Sequence, residues 1–387
     1  MAWQQIGTWD DALDASPEVT YTARENGFGY RPRQVVVPAP VWDAPRNAAE
    51  ESVRGRLDAA GATLIGGGSE RAGRKGDAAA RLDLRLVEFP EGVEVAPIID
   101  DARGTQDVGI AYNHVVVANP QRHGGCSPPI LTHRPASRVT QPPDAGAGMT
   151  VVVLDTGSPK PPRVANATLR DADIEPPLAS PATEDEPLAV GHGTMVAEVV
   201  ARNAPGVQIL IRRVLETPLG IADELDIALA LDELPDDVDI VNASFGGRAA
   251  AADAMIALRA AVERAQQRGM LIVASAGNEG EREAHFNAAF PEVVGVAAAR
   301  EATEWEVQPF SNRGDWVRVC AVGEDVETLN ERGQAVLCSG TSFAAPLVAA
   351  RIAVRAAAEG TSAGVAAQAL ADDAGQPLVT DAGRLVV

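Results

Sequence analysis

The chain has 387 residues, of which 33 are Lys or Arg and 54 are Asp or Glu, so its formal net charge is −21. An acidic surplus of this size argues against binding to nucleic acid or to an anionic membrane surface. Hydrophobic residues make up 46% and aromatic residues only 4% of the chain, a composition that favours helices packed on a parallel sheet, in roughly two domains.

The N-terminal segment MAWQQIGTWDDALDASPE has neither a basic start nor an apolar core, so it is not a secretory signal as written. No apolar run approaches the roughly 18 to 20 residues of a membrane span. We therefore expect a cytoplasmic protein, with secretion by another route left open. Residues 1–33 show little pattern and are expected to form an arm.

Residues 34–118 carry a sharper pattern that predicts a small α+β domain of its own. The predicted elements are a strand over Gln34–Val37, a helix over Pro45–Gly61, a Gly/Arg/Lys turn region over Gly66–Gly76, a strand over Arg81–Phe89, a helix over Val93–Arg103 and a strand over Ile110–Ala118. Residues 119–147 are rich in Pro and Gly and predict a linker.

Residues 148–387 alternate between apolar strands and helices of 10 to 20 residues. The predicted strands are Met149–Leu154, Val207–Leu215, Val238–Asn242, Met270–Ser275, Val293–Ala298 and Val317–Val322. The predicted helices are Thr194–Asn203, Ala222–Leu234, Ala249–Arg268, the segment after Ser342 and residues 361–371, and a long loop is predicted over residues 158–190. This alternation predicts an α/β fold with a doubly wound, mostly parallel sheet.

The three cysteines are Cys126, Cys320 and Cys338. A small, odd number fits a reducing compartment better than a disulfide scaffold. Cys320 and Cys338 each end a short apolar run, so a pair between them stays open, but buried free thiols are the favoured state.

Four polar residues stand at predicted strand ends or helix starts. Asp155 follows the strand MTVVVL in a Asp-Thr-Gly turn, and His192 opens a helix in GHGTMVAEVVA. Asn278 follows the strand of MLIVASAGNEG, and Ser342 begins a helix in CSGTSFAAP. Each has a plain structural explanation when it is considered alone: a turn former, a structural histidine, a turn asparagine and a helix cap.

Together the four supply every group that acyl transfer needs. A hydroxyl nucleophile requires a base, the base requires an orienting carboxylate, and the developing oxyanion requires preorganised donors. In a parallel sheet such residues collect beyond the carboxyl ends of the strands. Residues from about 148 to 360 resemble the catalytic domain of the subtilisin-like serine proteases, through VVVLDTG, GHGTMVAEVVA, IVNASFGG, VASAGNEG and SGTSFAAPLVAA in this order.

The resemblance implies a role for each of the four residues. Asp155 would orient His192, which would act as general base and then as general acid. Ser342 would be the acyl-forming nucleophile, and Asn278 would donate into the oxyanion hole together with the Ser342 backbone N–H. No cofactor is required for this chemistry, and members of the family often carry structural calcium, although no ligand spacing identifies a metal site here.

The resemblance also implies substrate-binding residues. Ser244, Phe245 and Gly246 correspond to the extended edge that binds the substrate backbone as an added strand. Glu279 would sit at the rim of the primary specificity pocket and His285 on its floor, where the family usually has a very small residue. The alternative is that Glu279 and His285 are solvated loop residues.

The element order of the N-terminal domain resembles the small inhibitory prodomain of the same family. The implied partners are a peptide or protein substrate and the chain's own N-terminal domain as an intramolecular inhibitor. We thus expect a serine endopeptidase made as a zymogen that cleaves itself in the linker. The alternatives are a permanent accessory domain, a dedicated peptide-processing protease or peptide ligase/cyclase with the same triad, and a catalytically silent peptide-binding protein.

Overall fold

Two large sheets, a two-stranded hairpin and the helices packed on them make up the described part of the structure, which is a computed structural model. It describes residues 20–21, 27–66, 71–104, 106–118, 141–176, 189–217, 219–249, 255–301, 304–374 and 382–386. Most of the predicted arm and most of the predicted linker, including Cys126, lie outside the described residues.

The N-terminal part forms an antiparallel sheet with helices. Its elements are β1 (Thr20–Tyr21), β2 (Gly29–Pro38), α1 (Ala39–Asp43), α2 (Ala48–Ala59), β3 (Thr63–Ile65), α3 (Arg71–Arg81), β4 (Leu84–Glu88), α4 (Ala96–Gly104) and β5 (Ala111–Ala118). The strands lie in the order β5-β2-β4-β3, and β1 pairs with β2.

The C-terminal part forms a doubly wound sheet. Its elements are β6 (Thr150–Asp155), β7 (Ala167–Leu169), a 3₁₀ turn (Asp171–Asp173), α5 (His192–Asn203), β8 (Gln208–Arg213), β9 (Ile221–Asp223), α6 (Glu224–Asp232), β10 (Ile240–Ala243), β11 (Phe245–Gly246), α7 (Ile256–Gln267), β12 (Leu271–Ser275), β13 (Val294–Glu301), β14 (Trp305–Val307), β15 (Val319–Val322), β16 (Val326–Leu329), β17 (Ala335–Cys338), α8 (Thr341–Glu359), α9 (Ala363–Asp373) and β18 (Arg384–Leu385). The order β7-β8-β6-β10-β12-β13-β15-β18 is parallel throughout, with β14 antiparallel on β13 and a separate β16-β17 hairpin.

Alternate side chains of β6 explain why helices cover both faces of this sheet. Val151 and Val153 belong to the buried cluster that includes residues of α5, α8 and α9. Val152 and Leu154 belong to the cluster that includes residues of α6 and α7. The α/β fold class expected from the sequence is therefore the observed one.

The last strand of the N-terminal part joins the two parts of the molecule. β5 pairs antiparallel with β11, with Val117 opposite Gly246, and also pairs antiparallel with β9, with Val115 opposite Asp223. One face of the N-terminal sheet also packs against the C-terminal part, where Val36 shares a buried cluster with residues of α6 and α7. In addition, α3 packs against α6.

Three expectations about secondary structure are wrong. The turn region predicted over Gly66–Gly76 contains the start of α3, in which Gly76 is required because a Cβ there would collide with the carbonyl of Ile65. The loop predicted over residues 158–190 contains β7 and the 3₁₀ turn. The helix predicted from Ala222 begins only at Glu224, because the residues before it form β9.

The two described cysteines differ in state. Cys320 is a free thiol, and burial raises its pKa to about 12. Cys338 is disulfide-bonded, so the expectation of a free thiol is wrong for this residue. Because Cys320 is free, the Cys320–Cys338 pair does not form.

Helix α8 is the candidate membrane span in the described part of the chain, by length and composition. Because 72% of its most apolar window is buried inside the protein, we interpret α8 as the central core helix of the C-terminal part.

Replacing Leu57 by alanine tests the N-terminal core. Leu57 on α2 is fully buried, whereas Leu64 on β3 is 50% exposed. We expect Leu57→Ala to lower the free energy of unfolding by roughly 2 to 5 kcal/mol because it leaves a cavity, and Leu64→Ala to change it by about 0.5 kcal/mol or less. Denaturant unfolding measures both, and equal effects would contradict the packing described here.

Candidate active site

Asp155 ends β6, whose neighbours β8 and β10 lie on opposite sides of it. The chain reverses its direction of winding there, so a crevice opens at the carboxyl end of the strand. The Asp155 carboxylate is fully buried, and its Oδ1 accepts a 2.8 Å hydrogen bond from the backbone N–H of Thr156. The turn after the strand therefore fixes the orientation of the carboxylate.

His192 is the first residue of α5 and contacts Asp155. Its Nδ1 lies 2.8 Å from Oδ1 and 2.9 Å from Oδ2 of Asp155. The close approach of the two elements depends on Gly193, because a Cβ there would collide with the carbonyl of Gly157. Nε2 of His192 is buried and has no hydrogen-bond partner among the described residues, so it is the nitrogen available to act on a substrate.

The pKa of His192 is set by burial and by two carboxylates. Burial opposes the charged imidazolium, but the charge and hydrogen bond of Asp155 and the charge of Glu175 together raise the pKa above its ordinary value. Because Asp155 accepts a hydrogen bond from Nδ1–H of His192, the proton of the neutral ring is on Nδ1 and Nε2 is the basic nitrogen.

Glu175 is a buried neighbour of this pair that the sequence analysis did not identify. Its carboxylate accepts from the Gly191 backbone N–H, at 2.9 and 3.1 Å, and from the Thr156 hydroxyl. Burial raises the pKa of Glu175 to about 7, although both hydrogen bonds act in the opposite direction. Glu175 lies in the long loop without sequence periodicity, so only the fold reveals its position.

Ser342 lies in the first turn of α8 and is fully buried. The next residue, Phe343, meets the imidazole of His192 edge-on, with 5.9 Å between ring centroids. The Ser342 hydroxyl donates a long 3.5 Å hydrogen bond to the Ser244 carbonyl, and the Ser244 hydroxyl donates to the Ser342 carbonyl at 3.0 Å. The structure therefore places the serine between the histidine helix and the strand edge at Ser244.

Asn278 follows β12 and faces the same turn. Its Oδ1 accepts from the backbone N–H and from the hydroxyl of Thr341, both at 2.9 Å. Because Oδ1 is the acceptor, Nδ2 is the donor end of the Asn278 amide. Nδ2 lies close to Gly340, 3.3 Å from the position that a Cβ would have on that residue. The Nδ2 amide group of Asn278 thus lies beside the turn that carries Ser342. The backbone N–H of Ser342 is a second donor there, because N–H groups in the first turn of a helix have no acceptor within the helix.

The remaining predicted residues surround this centre. Phe245 and Gly246 form β11 and pair with β5. Glu279 is half-buried, and its carboxylate accepts from the side-chain amide of Asn312 at 2.7 Å. His285 is 2% exposed, so the alternative of a solvated loop residue is wrong for His285.

No group of three or more His, Cys, Asp or Glu side chains that could hold a metal ion occurs among the described residues. Structural calcium therefore stays a prediction without a described set of ligands.

Comparisons with known proteins agree with this fold. The profile of the Subtilase family matches residues 146–379, which is more than half of the chain, so the protein belongs to the subtilase family. It is 33% identical over 180 residues to the major intracellular serine protease of Bacillus subtilis, and the aligned region covers 42% of this chain and 54% of that protein. It is 30% identical over 215 residues to the thermostable alkaline protease of Halalkalibacterium halodurans, and the aligned region covers 53% of this chain and 55% of that protein.

The chain thus spans about half the length of these curated relatives. Among solved structures, a cold-adapted subtilisin-like serine proteinase matches with a TM-score of 0.52 and 23% identity, over 66% of this chain and 93% of that one. At this identity the match supports the fold.

Removing the charge of Glu175 should lower the pKa of His192. An ionised carboxylate stabilises the imidazolium, so we expect Glu175→Gln, which can still accept from Gly191, to lower that pKa. Histidine-selective NMR titration measures it, because the chain contains only five histidines. Glu359→Gln, in an exposed pair with Arg355 on α8, is the matched control, and an unchanged pKa in Glu175→Gln would contradict the assigned coupling.

Proposed function

We propose that the protein is a serine endopeptidase that hydrolyses peptide bonds through an acyl-enzyme on Ser342 and is made as a zymogen that cleaves itself between its two parts. The observation that carries this proposal is the buried Asp155–His192 pair at the start of α5, whose imidazole contacts Phe343, the residue that follows Ser342 at the start of α8. Membership of the subtilase family supports it. A cytoplasmic location stays a prediction from the sequence.

The chemistry follows from the positions of these groups. The Ser342 oxygen attacks the carbonyl carbon of the scissile bond while its proton passes to Nε2 of His192. His192 then gives that proton to the leaving amine as the C–N bond breaks, and an acyl ester on Ser342 remains. A water molecule deprotonated by His192 attacks the ester, and the acid product leaves as Ser342 regains its proton. Asp155 holds the ring in the required tautomer and stabilises the imidazolium.

Asn278 stabilises the negative charge that develops on the carbonyl oxygen. Thr341 holds its amide so that Nδ2 donates towards the serine turn. Because these bonds exist before substrate binds, no reorganisation is needed when the charge forms. A single side-chain donor of this kind typically contributes about 10²–10³ in turnover.

The N-terminal part acts as the intramolecular inhibitor in this proposal. β5 lies between β9 and β11 and pairs with both, which is how an extended substrate binds to a strand edge. Its described end, Ala118, is opposite Phe245, one residue from Ser244. While β5 holds this position, a substrate cannot form the same backbone hydrogen bonds.

Buried charges hold β5 and the rest of the N-terminal part in place. Lys75 contacts Asp223 at 2.5 Å and Asp226 at 2.9 Å, and Arg31 contacts Asp223 at 3.1 Å. Burial alone would raise the pKa of Asp223, but the charges of Lys75 and Arg31 hold it well below its usual range. Its contribution to the interface is therefore present above the ordinary carboxyl pKa and is lost only in stronger acid.

Glu224 forms a second link across the interface. Its carboxylate accepts from the backbone N–H of His114 on β5 at 3.2 Å, and from the first N–H groups of α7, those of Ala257 at 2.9 Å and Leu258 at 3.0 Å. The positive end of α7 and the strand of the inhibitor thus share one buried carboxylate.

Intact mass measurement of wild type beside Ser342→Ala tests the proposal. We expect wild type to be cut between residues 117 and 147, and the variant to stay whole because it lacks the nucleophile. Wild type, but not the variant, should also be labelled by a fluorophosphonate. Absence of labelling at Ser342 would contradict the protease, whereas labelling of an uncut chain would contradict only self-cleavage.

Lys75→Met should weaken the inhibitor. The substitution removes the cation that pairs with the buried carboxylates of Asp223 and Asp226. Breaking a buried ion pair typically costs about 3–5 kcal/mol of stability. We expect the full chain to hydrolyse a peptide substrate several times faster, because β5 leaves the cleft more often. Lys160→Met is the matched control, since Lys160 is the other lysine of the chain and is exposed. Equal rates in both variants would contradict the inhibitory role of this contact.

A further inference from the structure

His285 lies directly beneath the strand edge that faces the cleft. Its Nδ1 and Cε1 are the atoms closest to where a Cβ on Gly246 would stand, so the ring occupies the space that the absent side chain leaves. The next residues hold it there, because Gly247 and Phe286 exchange two backbone hydrogen bonds of 2.5 and 2.8 Å. The imidazole therefore belongs to the wall below β11.

Neither ring nitrogen of His285 has a hydrogen-bond partner among the described residues, although the side chain is 2% exposed. Buried polar groups in native proteins are nearly all paired, and an exception indicates a missing partner. The ring lies below Gly246 of the predicted substrate-binding edge, so a substrate side chain bound at this edge would supply the partner.

The surroundings of His285 restrict the chemistry of that ligand. Burial lowers the pKa of the ring, so it is neutral and presents one N–H donor and one acceptor nitrogen. The charge of Glu279 raises the pKa of the ring and the charge of Arg248 lowers it, and both effects are smaller than that of burial. Arg248 forms a 2.6 Å ion pair with Glu281, which neutralises much of its charge.

The register of β5 identifies which substrate residue is near the ring. Val117 lies opposite Gly246 and Ala118 opposite Phe245. A substrate strand that continues this register has its next residue opposite Ser244, which exchanges hydrogen bonds with Ser342. In the proposed reaction that residue carries the scissile carbonyl, and its side chain lies on the same face of the strand as that of Val117, the residue opposite Gly246. The His285 ring lies on this face too, because it occupies the Cβ space of Gly246.

We propose that His285 selects the side chain immediately before the scissile bond, and that this side chain is the carboxamide of Asn or Gln. The inference rests on the proposed protease function and adds its substrate class. A carboxamide has both a donor and an acceptor, so it satisfies both nitrogens of a neutral imidazole.

Other side chains satisfy the site less well. A carboxylate only accepts hydrogen bonds and is repelled by Glu279, and a cationic side chain only donates and leaves the ring N–H unpaired. An aliphatic side chain leaves both nitrogens unpaired, which a polar site rejects strongly. In the sequence, Ala118 is followed by Asn119, which carries a carboxamide and lies outside the described residues.

A set of peptides that differ in one residue tests this inference on the full chain. The peptides are Val-Val-Ala-Xaa with a fluorogenic amide, where Xaa is Asn, Gln, Asp, Lys or Leu; Asn, Asp and Leu have nearly the same shape. The value of kcat/KM is normalised to the fraction of Ser342 that a fluorophosphonate labels. We expect Asn to exceed Asp and Leu by about tenfold or more.

Three variants show whether His285 causes the preference. His285→Gly should favour Leu over Asn, because it removes both polar atoms and opens space. His285→Gln, which restores one donor and one acceptor, should keep part of the preference for Asn. Glu283→Gly, at an exposed position of the same loop, should leave the order of the peptides unchanged.

The outcomes separate the two proposals. If Ser342 is labelled but wild type prefers Leu, Asp or Lys, cleaves none of the peptides, or keeps its order in His285→Gly, the inference about His285 is wrong and the protease stands. If Ser342 is not labelled at all, the proposed function itself fails, and the inference fails with it.

Discussion

The pairing of β5 with β9 on one side and β11 on the other is the constraint on which the rest of the structure depends. It makes the N-terminal sheet continuous with the two edges of the cleft, so their backbone groups are paired rather than open to other chains. The helices of the two parts also meet at this interface, where α3 packs against α6. In the proposed function, a substrate offers the same backbone groups to the same two edges.

Charge is distributed unevenly across this interface. The chain is strongly acidic overall, yet the N-terminal part contributes Lys75 and Arg31 to the contact, and the C-terminal part contributes Asp223 and Asp226. Because Asp223 and Asp226 also cap the start of α6 through reciprocal hydrogen bonds, the carboxylates keep partners inside their own domain. The free-energy cost of removing these ions from water is thus offset by the helix terminus as well as by the ion pairs. Burying them therefore costs less than burying an isolated ion pair.

The sequence allowed Asp155, His192, Asn278 and Ser342 to be predicted as one site because each lies in a short motif at the end of a strand or the start of a helix. It could not reveal Glu175, whose position depends on the path of a loop without periodicity. It predicted a turn where α3 begins, because the close contact of Gly76 with Ile65 is a tertiary effect that overrides the low helix propensity of glycine. The burial of His285 likewise depends on the strand edge above it, which is distant in sequence.

The position of β5 has a consequence for synthesis of the chain. Residues 111–118 leave the ribosome long before residues 221–246, which supply both of the neighbours that β5 has in the C-terminal part. During that interval the C-terminal end of β5, with its three consecutive valines, is unpaired on the nascent protein, and such a strand can pair with other chains. Contacts of this long sequence separation also form slowly. Correct folding therefore requires that this strand stays free of other chains until residues 221–246 have been made.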